Sequence, residues 1–368
     1  MGAEDFAEEG RRATFLGADY AAGRRRQVWH RHSQAAKRIK AAKKRRWRVN
    51  RFWLAAGDRA RKVARTGLIP QAGFGTAITG LSNADLEELR RLQETGTGGR
   101  RRGRSMARQR LVDGDPAAEL ATAPIVEWAK EVRSMHHREK GALTRGEIAT
   151  YWQAAKARKV KRWADTKGPA DVTKLSLERI NWQWPSPWMF KDERGLELDM
   201  TIATPALLQW HLAARRRRQL EAQVGKALAT RGWQETGQAV SSAVARRMLA
   251  EQRLDKGSKG IIRSLALGSW WTTGGWAKAG YKIDDKCPLC QSVHEDDTIW
   301  HRLWRCPATK DLRQTPAMTK VTKRALQAGP KHLLYSTGLL ANPEATAPGP
   351  SEVDLGDQLA GEAPWQPD

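Results

Sequence analysis

The stretch from Cys287 to Pro307, CPLCQSVHEDDTIWHRLWRCP, contains all three cysteines of this 368-residue chain. Its Cys287, Cys290, His301 and Cys306 follow the spacing C-x2-C-x10-H-x4-C. Two thiolates separated by two residues can grip one cation, and a later histidine and cysteine complete a tetrahedron of soft and borderline ligands. We therefore predict a small CCHC zinc knuckle over residues 281–310. Because these four ligands leave no coordination position open, the Zn²⁺ is expected to be structural.

Two alternatives to this ligand set stay open at the level of sequence. His294 could be the fourth ligand. However, only three residues separate it from Cys290, which leaves the chain little length to turn back to the same ion. The three thiols could instead be buried or oxidised. An odd number of cysteines and an acidic N-terminus without a secretory signal argue against a disulfide framework, and we expect a reducing compartment, the nucleus or the cytoplasm.

The residues around the ligands predict a short helix. Asp296, Asp297 and Thr298 supply N-cap chemistry for a helix over residues 299–305, which Pro307 ends. Trp300 and Trp304 are four residues apart and share one face, so we expect them to pack the knuckle against the body of the protein. Base stacking is the alternative role for this pair.

Three stretches resemble one family. The run KCPLCQSVHEDDTIWHRLWRCP (286–307) resembles the zinc knuckle that follows the polymerase in reverse transcriptases of non-LTR, LINE-type retrotransposons. In those enzymes a CxxC pair and an acidic-Thr stretch precede His-x-Leu-Trp-x-Cys-Pro. The stretch RTGLIPQAGFGTAITGLSNADLEELRRLQ (65–93) is similar to their thumb segment, and FLGADY (15–20) resembles the element after their catalytic hairpin. The order and rough spacing of the three agree.

The resemblance implies an RNA-directed DNA polymerase, but the catalytic residues of the palm are not found. A palm needs an Asp-Asp pair on an apolar hairpin to hold two metal ions. The only Asp-Asp pairs are Asp284–Asp285 and Asp296–Asp297, beside and inside the knuckle. We interpret the chain as the C-terminal part of such an enzyme, a truncated copy or partial gene model that is inactive alone, with a palm upstream in the full-length protein.

The predicted fold is mainly α, with helical thumb-like and connecting segments, a short β-hairpin, the CCHC zinc knuckle and a disordered C-terminal tail. The expected regions are 1–20, a remnant that follows the palm; 21–110, a basic helical thumb-like region ending in a Gly/Arg linker; 111–280, a helical connecting region; 281–310, the knuckle; and 311–368, a helix and then a disordered acidic tail. Residues 95–110 are expected to be a flexible linker, and disorder is expected from Ala341.

Local patterns place the elements. Ser82 is expected to cap a helix with Asp85 at its third position, and Thr144 with Glu147 forms a capping box. Residues 188–191 and 196–202 are expected to pair as a hairpin, and Thr204 caps a long helix. The spacing of Val240, Val244 and Met248 predicts a further helix. Six tryptophans are expected to build the core of the connecting region: Trp182, Trp184, Trp188, Trp270, Trp271 and Trp276.

The charge of the chain predicts a nucleic-acid partner. Its formal net charge is +25, and the basic residues cluster in a stretch where Asp58 is the lone acid. Candidate phosphate-binding residues are Arg24, Arg25, Arg26, Lys43, Lys44, Arg45, Arg46, Arg48 and Arg51. Interleaved Trp29, Trp47, Phe52 and Trp53 suit stacking on single strands. A solvated helix face, a nuclear-import signal or a helix that packs its aromatic side on a core are the alternatives.

These observations give two functional hypotheses. The first is a retrotransposon-derived protein that binds RNA template or RNA–DNA hybrid through phosphate contacts and carries a structural Zn²⁺, in the nucleus or cytoplasm and not secreted. The second is a stand-alone, non-enzymatic zinc-containing RNA- or chromatin-binding protein. A third possibility is a degenerate remnant that does not fold cooperatively. No stretch has the roughly 18 consecutive apolar residues of a membrane span, so no membrane partner is expected.

Overall fold

A computed structural model describes residues 12–15, 18–21, 34–57, 59–95, 104–233, 239–291 and 295–342. Within these residues the chain is mainly helical, as the sequence predicts, and it has three small antiparallel sheets where one short hairpin was expected. None of the described helices combines the length and apolar content that a membrane span needs.

The first part of the described chain is a strand pair followed by helices. The strands β1 (Arg12–Phe15) and β2 (Ala18–Ala21) pair antiparallel. The helices are α1 (Gln34–Ala56), α2 (Arg59–Val63), α3 (Ile69–Gly73), α4 (Thr76–Thr79) and α5 (Asn83–Thr95), with a π-helical turn at Ala64–Leu68 between α2 and α3. The expected cap of α5 is confirmed, because the Ser82 hydroxyl accepts a 3.1 Å hydrogen bond from the Asp85 amide.

The middle part surrounds the largest apolar core. It contains α6 (Met106–Asp113), α7 (Pro116–His136), α8 (Arg145–Ala157), α9 (Pro169–Arg179), strands β3 (Gln183–Ser186), β4 (Met189–Lys191) and β5 (Glu197–Asp199), and α10 (Pro205–Ala229). The expected hairpin is confirmed as β4–β5, with Phe190 opposite Leu198, and β3 adds a third strand. The capping box of Thr144 and Glu147 and the Thr204 cap are also confirmed.

The last part brings residues 287–306, which contain the four candidate metal ligands and are called the metal-binding stretch below, back onto the helices. It contains β6 (Ala239–Ser241), α11 (Ala243–Ala250), α12 (Lys256–Leu267), α13 (Thr273–Lys278), a π-helical turn at His301–Arg305, α14 (Pro316–Ala328), α15 (Leu333–Thr337) and β7 (Leu340–Asn342). Strands β6 and β7 pair antiparallel, with Val240 opposite Ala341. This pairing returns the segment that follows the knuckle to the C-terminal end of α10, where Val240, Leu228 and Leu333 share one apolar cluster.

Two further clusters hold the helices together. One joins α1 to the helices that follow it through Ile39, Ala42, Val49, Leu89 and neighbouring apolar residues, and it includes Ala117 and Ala121 of α7. The other packs α7, α8, α9 and α10 around the three-stranded sheet through residues such as Ile125, Trp128 and Phe190. Because α7 contributes to both clusters, it is the element that joins the basic helix to the middle of the chain.

The tryptophan prediction is only partly confirmed. Trp182 and Trp184 are buried in the middle core, and Trp188 packs against it half-buried. Trp270, Trp271 and Trp276 lie outside this core and are half-buried. Trp276 instead contacts Trp271 and Tyr281, with ring centroids 5.0 and 4.8 Å apart. The physical reason is that the chain after α12 packs against residues 286–297 instead, where Thr273 contacts Lys286 and Asp297.

Four boundaries expected from the sequence are wrong. Residues 106–110 of the expected linker belong to α6, because Ser105 caps that helix and Arg108 and Gln109 are buried. Val240 lies in a strand rather than a helix, because its backbone pairs with Ala341. The same pairing makes Ala341 and Asn342 part of β7, whereas disorder was expected there. The helix expected after the knuckle is two helices, since Gly329 (φ 86°) and Pro330 interrupt it. Residues 343–368 of the expected tail lie outside the described residues.

Candidate metal centre and nucleic-acid interface

The four predicted ligands converge on one point. The donor atoms of Cys287, Cys290, His301 and Cys306 all lie within 4.8 Å of one another. The Sγ atoms of Cys287 and Cys306 are 4.0 Å apart, and the Sγ of Cys290 is 3.3 Å from His301 Nε2. Ligands at about 2.3 Å from a tetrahedral ion would be about 3.8 Å apart. The four residues are therefore placed to hold one metal ion.

A π-helical turn brings the last two ligands together. In a regular α-helix, residues five positions apart are rotated by about 140° about the helix axis. Here the Cys306 amide donates to the His301 carbonyl five residues earlier at 2.7 Å, which widens the turn and lets both side chains face the same point. The short helix predicted over 299–305 is present, and it is π-helical from His301 onward. Its start is confirmed, because the Thr298 hydroxyl accepts from the His301 amide at 3.0 Å.

The first two ligands come from a tight turn. The Gln291 amide donates to the Cys287 carbonyl at 2.9 Å, and Gln291 has a left-handed backbone with φ 52°. This geometry directs Cys287 and Cys290 toward the same side. His294, the alternative ligand, lies outside the described residues. Cys287, His301 and Cys306 are buried and Cys290 is half-buried. Burial raises the pKa of the Cys306 thiol, an effect that a bound divalent cation would oppose by favouring the thiolate.

Glu295 orients the histidine ligand, and the sequence analysis did not identify it. Its carboxylate contacts His301 Nδ1, which leaves Nε2 toward the cysteines. The other oxygen of Glu295 pairs with Arg305 at 2.8 Å. A carboxylate on the second nitrogen of a metal-binding histidine fixes its tautomer and ring orientation. In the sequence, the only feature that indicates this contact is an acidic residue six positions before the histidine.

The metal-binding stretch rests on α13. The Thr273 hydroxyl lies 2.6 Å from Asp297 Oδ2 and 2.9 Å from the Lys286 carbonyl oxygen, so both acceptors share its one proton. A Cβ on Gly274 would lie 2.5 Å from the Asp297 carbonyl oxygen, so the helix approaches the loop at a position where only glycine fits. On the opposite side, Trp304 Nε1 donates to the Tyr335 carbonyl at 2.9 Å. Trp304 therefore packs the stretch with the four candidate ligands against α15, as predicted for this residue, and Trp300 contacts Trp304 with ring centroids 6.3 Å apart.

The predicted nucleic-acid residues have different surroundings. Arg24, Arg25 and Arg26 lie outside the described residues. Lys43 pairs with Glu88 at 2.6 Å, Arg45 donates to Gln71 at 2.5 Å, and Arg46 is half-buried. Lys44, Arg48 and Arg51 are exposed, and none has a carboxylate within ion-pair distance in the part of the chain that the structure describes.

These three residues belong to a longer stripe on α1. At 100° per residue, Lys37, Lys40, Lys44, Arg48 and Arg51 fall within an arc of about 80°. The buried residues Ile39, Ala42 and Val49 lie on the opposite side, against the core. We call these five exposed cations the basic stripe. It is about 21 Å long, since fourteen residues separate its ends at about 1.5 Å each. Lys37 and Lys40 lie outside the run of adjacent charges at residues 43–46, so only helical periodicity identifies them as part of this surface.

Another arginine run is structural. Arg215, Arg216 and Arg218 of α10 donate to the Ile180 carbonyl at 2.7 Å, the Thr122 hydroxyl at 2.6 Å and Glu193 at 3.0 Å. Burial lowers the pKa of Arg216. These cations form hydrogen bonds within the fold. High local charge alone therefore does not identify a phosphate-binding surface in this protein.

Comparisons with known proteins give no relative. No family model, no curated protein and no solved structure matches this chain.

Proposed function

We propose that this protein binds RNA template or RNA–DNA hybrid through phosphate contacts of the basic stripe, and that a structural Zn²⁺ fixes its metal-binding stretch. The single observation that carries the proposal is the stripe itself: five exposed cations on one face of α1, opposite its packed side. A duplex or single strand presents regularly spaced negative charges, which such a row can neutralise with release of counterions. The proposed location is the nucleus or the cytoplasm.

Zinc is the proposed metal because of the donor set. Three thiolates and one imidazole in a closed tetrahedron favour Zn²⁺ over Mg²⁺ or Ca²⁺, which prefer oxygen ligands. Elemental analysis of the reductant-treated full-length chain should find one zinc per molecule. The variant Cys306→Ser should lose most of it, and His294→Ala should keep it. Equal zinc loss in both variants, or no zinc in the unmodified protein, would contradict the proposed ligand set.

The nucleic-acid function is tested by salt dependence. If five phosphates are contacted on a single strand, the slope of log K against log salt is about −3.5, a loss of about a hundredfold between 50 and 200 mM. The double variant Lys44→Ala/Arg48→Ala should reduce the slope by about 1.4. Lys320→Ala/Lys323→Ala, two exposed lysines of α14, removes the same charge and is the matched control. Equal effects of the two pairs would show that net charge, not the stripe, attracts the ligand.

We further propose that the chain derives from the C-terminal part of a LINE-type reverse transcriptase. Its support is the zinc-knuckle, thumb and post-hairpin stretches quoted above, and we propose that the chain binds nucleic acid without polymerising it. The stand-alone RNA- or chromatin-binding protein is the alternative. The transcript upstream of the Met1 codon distinguishes them. An open frame encoding an apolar–Asp-Asp–apolar hairpin supports the first, and an untranslated leader supports the second.

A further inference from the structure

An exposed tryptophan lies at the edge of the basic stripe. Trp47 of α1 is 52% exposed, whereas Trp53 on the same helix is half-buried. Trp47 lies about 40° around the helix from Arg51 and 60° from Lys44. About half of the Trp47 surface is therefore outside the core and open to a ligand.

The surroundings of Trp47 suit stacking. The guanidinium carbons of Arg48 and Arg51 are 5.6 and 5.0 Å from the centroid of the ring. Cation–π contacts of this kind orient the indole and place two positive charges over its ring. A ring held in this way presents a π surface together with phosphate-binding groups, the combination found in proteins that bind single strands.

We infer that Trp47 stacks on an unpaired base while the basic stripe holds the flanking phosphates, so that the site takes single-stranded RNA or DNA in preference to duplex. This inference rests on the proposed function and narrows its ligand to the unpaired part of a template. In a duplex the bases are stacked on each other inside the helix, so their faces are not free for an indole. Phosphates are equally available in both forms.

The test compares two probes with the full-length chain. One is an oligouridine RNA of about 12 nucleotides, within the site sizes of single-strand binders. The other is a blunt RNA–DNA hybrid of the same length. The variant Trp47→Ala should bind the single strand about fivefold to 100-fold more weakly. Its affinity for the hybrid should change by less than about twofold, because the phosphate contacts stay. Trp47→Phe should retain most of the single-strand affinity, and Trp47→Leu should not.

A matched control separates stacking from a general loss of exposed apolar surface. Leu54 is on the same helix and is 80% exposed, and Leu54→Ala should bind both probes like the unmodified protein. An effect of Leu54→Ala as large as that of Trp47→Ala would overturn the inference. So would Trp47→Ala binding single strands normally while the unmodified protein shows the expected salt slope. Absence of binding to either probe by the unmodified protein would instead remove the proposed function.

Discussion

Asp297 accepts two hydrogen bonds of 2.6 Å from Arg302, one at each carboxylate oxygen. The Asp297 side chain is fully buried, and its Oδ2 also accepts from the amide and hydroxyl of Thr273 at 2.6 Å each. Arg302 follows the ligand His301 in the π-helical turn, and Thr273 begins α13. This one carboxylate therefore links the π-helical turn to α13, and its loss should destabilise both.

Removing that carboxylate should destabilise the protein. The variant Asp297→Ala leaves the Arg302 guanidinium and the Thr273 amide without their partner, and the expected loss in free energy of unfolding is about 3 kcal/mol. Chemical denaturation at a fixed zinc concentration measures it. Asp311→Asn, an exposed aspartate in the neighbouring turn, is the control and should stay within about 0.5 kcal/mol. If Asp297→Ala also lost no more than about 0.5 kcal/mol, the contact between Asp297 and Arg302 would not stabilise the loop.

The same carboxylate predicts a pH dependence. Burial acts to raise the pKa of Asp297, but hydrogen bonds from Arg302 and Thr273 outweigh it and hold the pKa below its ordinary value. A carboxyl with a lowered pKa adds stability above its unfolded pKa of about 3.9, and this stability is lost as pH falls through the folded value. The gap in unfolding free energy between the unmodified protein and Asp297→Asn should therefore be full at neutral pH. It should narrow below about pH 4.

Comparing the unmodified protein with Asp297→Asn at each pH isolates the contribution of the Asp297 carboxylate. Metal binding in general weakens in acid, but this affects both proteins and cancels in the difference. A gap that is constant from neutral pH to about pH 3 would argue against ionised Asp297 as the source of the stability.

Metal affinity should depend on Glu295. Because its carboxylate contacts Nδ1 of His301, Glu295→Gln should weaken zinc binding about 10-fold to 100-fold, the range found for groups that orient a ligand. Competition with a chromophoric chelator measures the affinity directly. Asp296→Asn is the matched control, since Asp296 is adjacent but interacts with Lys286 at 3.4 Å instead. Equal affinities of the two variants would remove Glu295 from the site.

The convergence of Cys287, Cys290, His301 and Cys306 could be predicted from the sequence because it depends on a short, local spacing. The caps are local too, since Thr298 and Ser82 act on amides only three residues away. The hairpin around residues 192–195 was found for the same reason. Each of these predictions needs only neighbouring residues, where side-chain and backbone preferences decide the structure.

The remainder depends on partners that are distant in sequence. Val240 follows a helical pattern, but pairing with Ala341, more than a hundred residues later, places it in a strand. The π-helical turn that joins His301 to Cys306 has no sequence signature comparable to a cap. Arg215, Arg216 and Arg218 look like a phosphate-binding run until their acceptors on other elements are known. At Val240 and at the three arginines, tertiary contacts override local preference.

The close approach of α13 to the metal-binding loop gives a last prediction. Gly274→Ala places a methyl group 2.5 Å from the Asp297 carbonyl oxygen, a backbone atom that can move only with the loop. The expected loss in free energy of unfolding is about 1–3 kcal/mol, the range for overpacking, and zinc affinity should fall with it.

Gly275→Ala is the matched control for this prediction. The nearest atom to its added methyl group would be the Thr272 hydroxyl oxygen at 3.5 Å, an ordinary contact. Both glycines are in α13, so the two variants gain the same helix propensity and differ only in what the methyl group meets. Denaturant unfolding of the pair should therefore show a loss in Gly274→Ala and none in Gly275→Ala. If both variants are as stable as the unmodified protein, the helix does not press against the loop as closely as this structure has it.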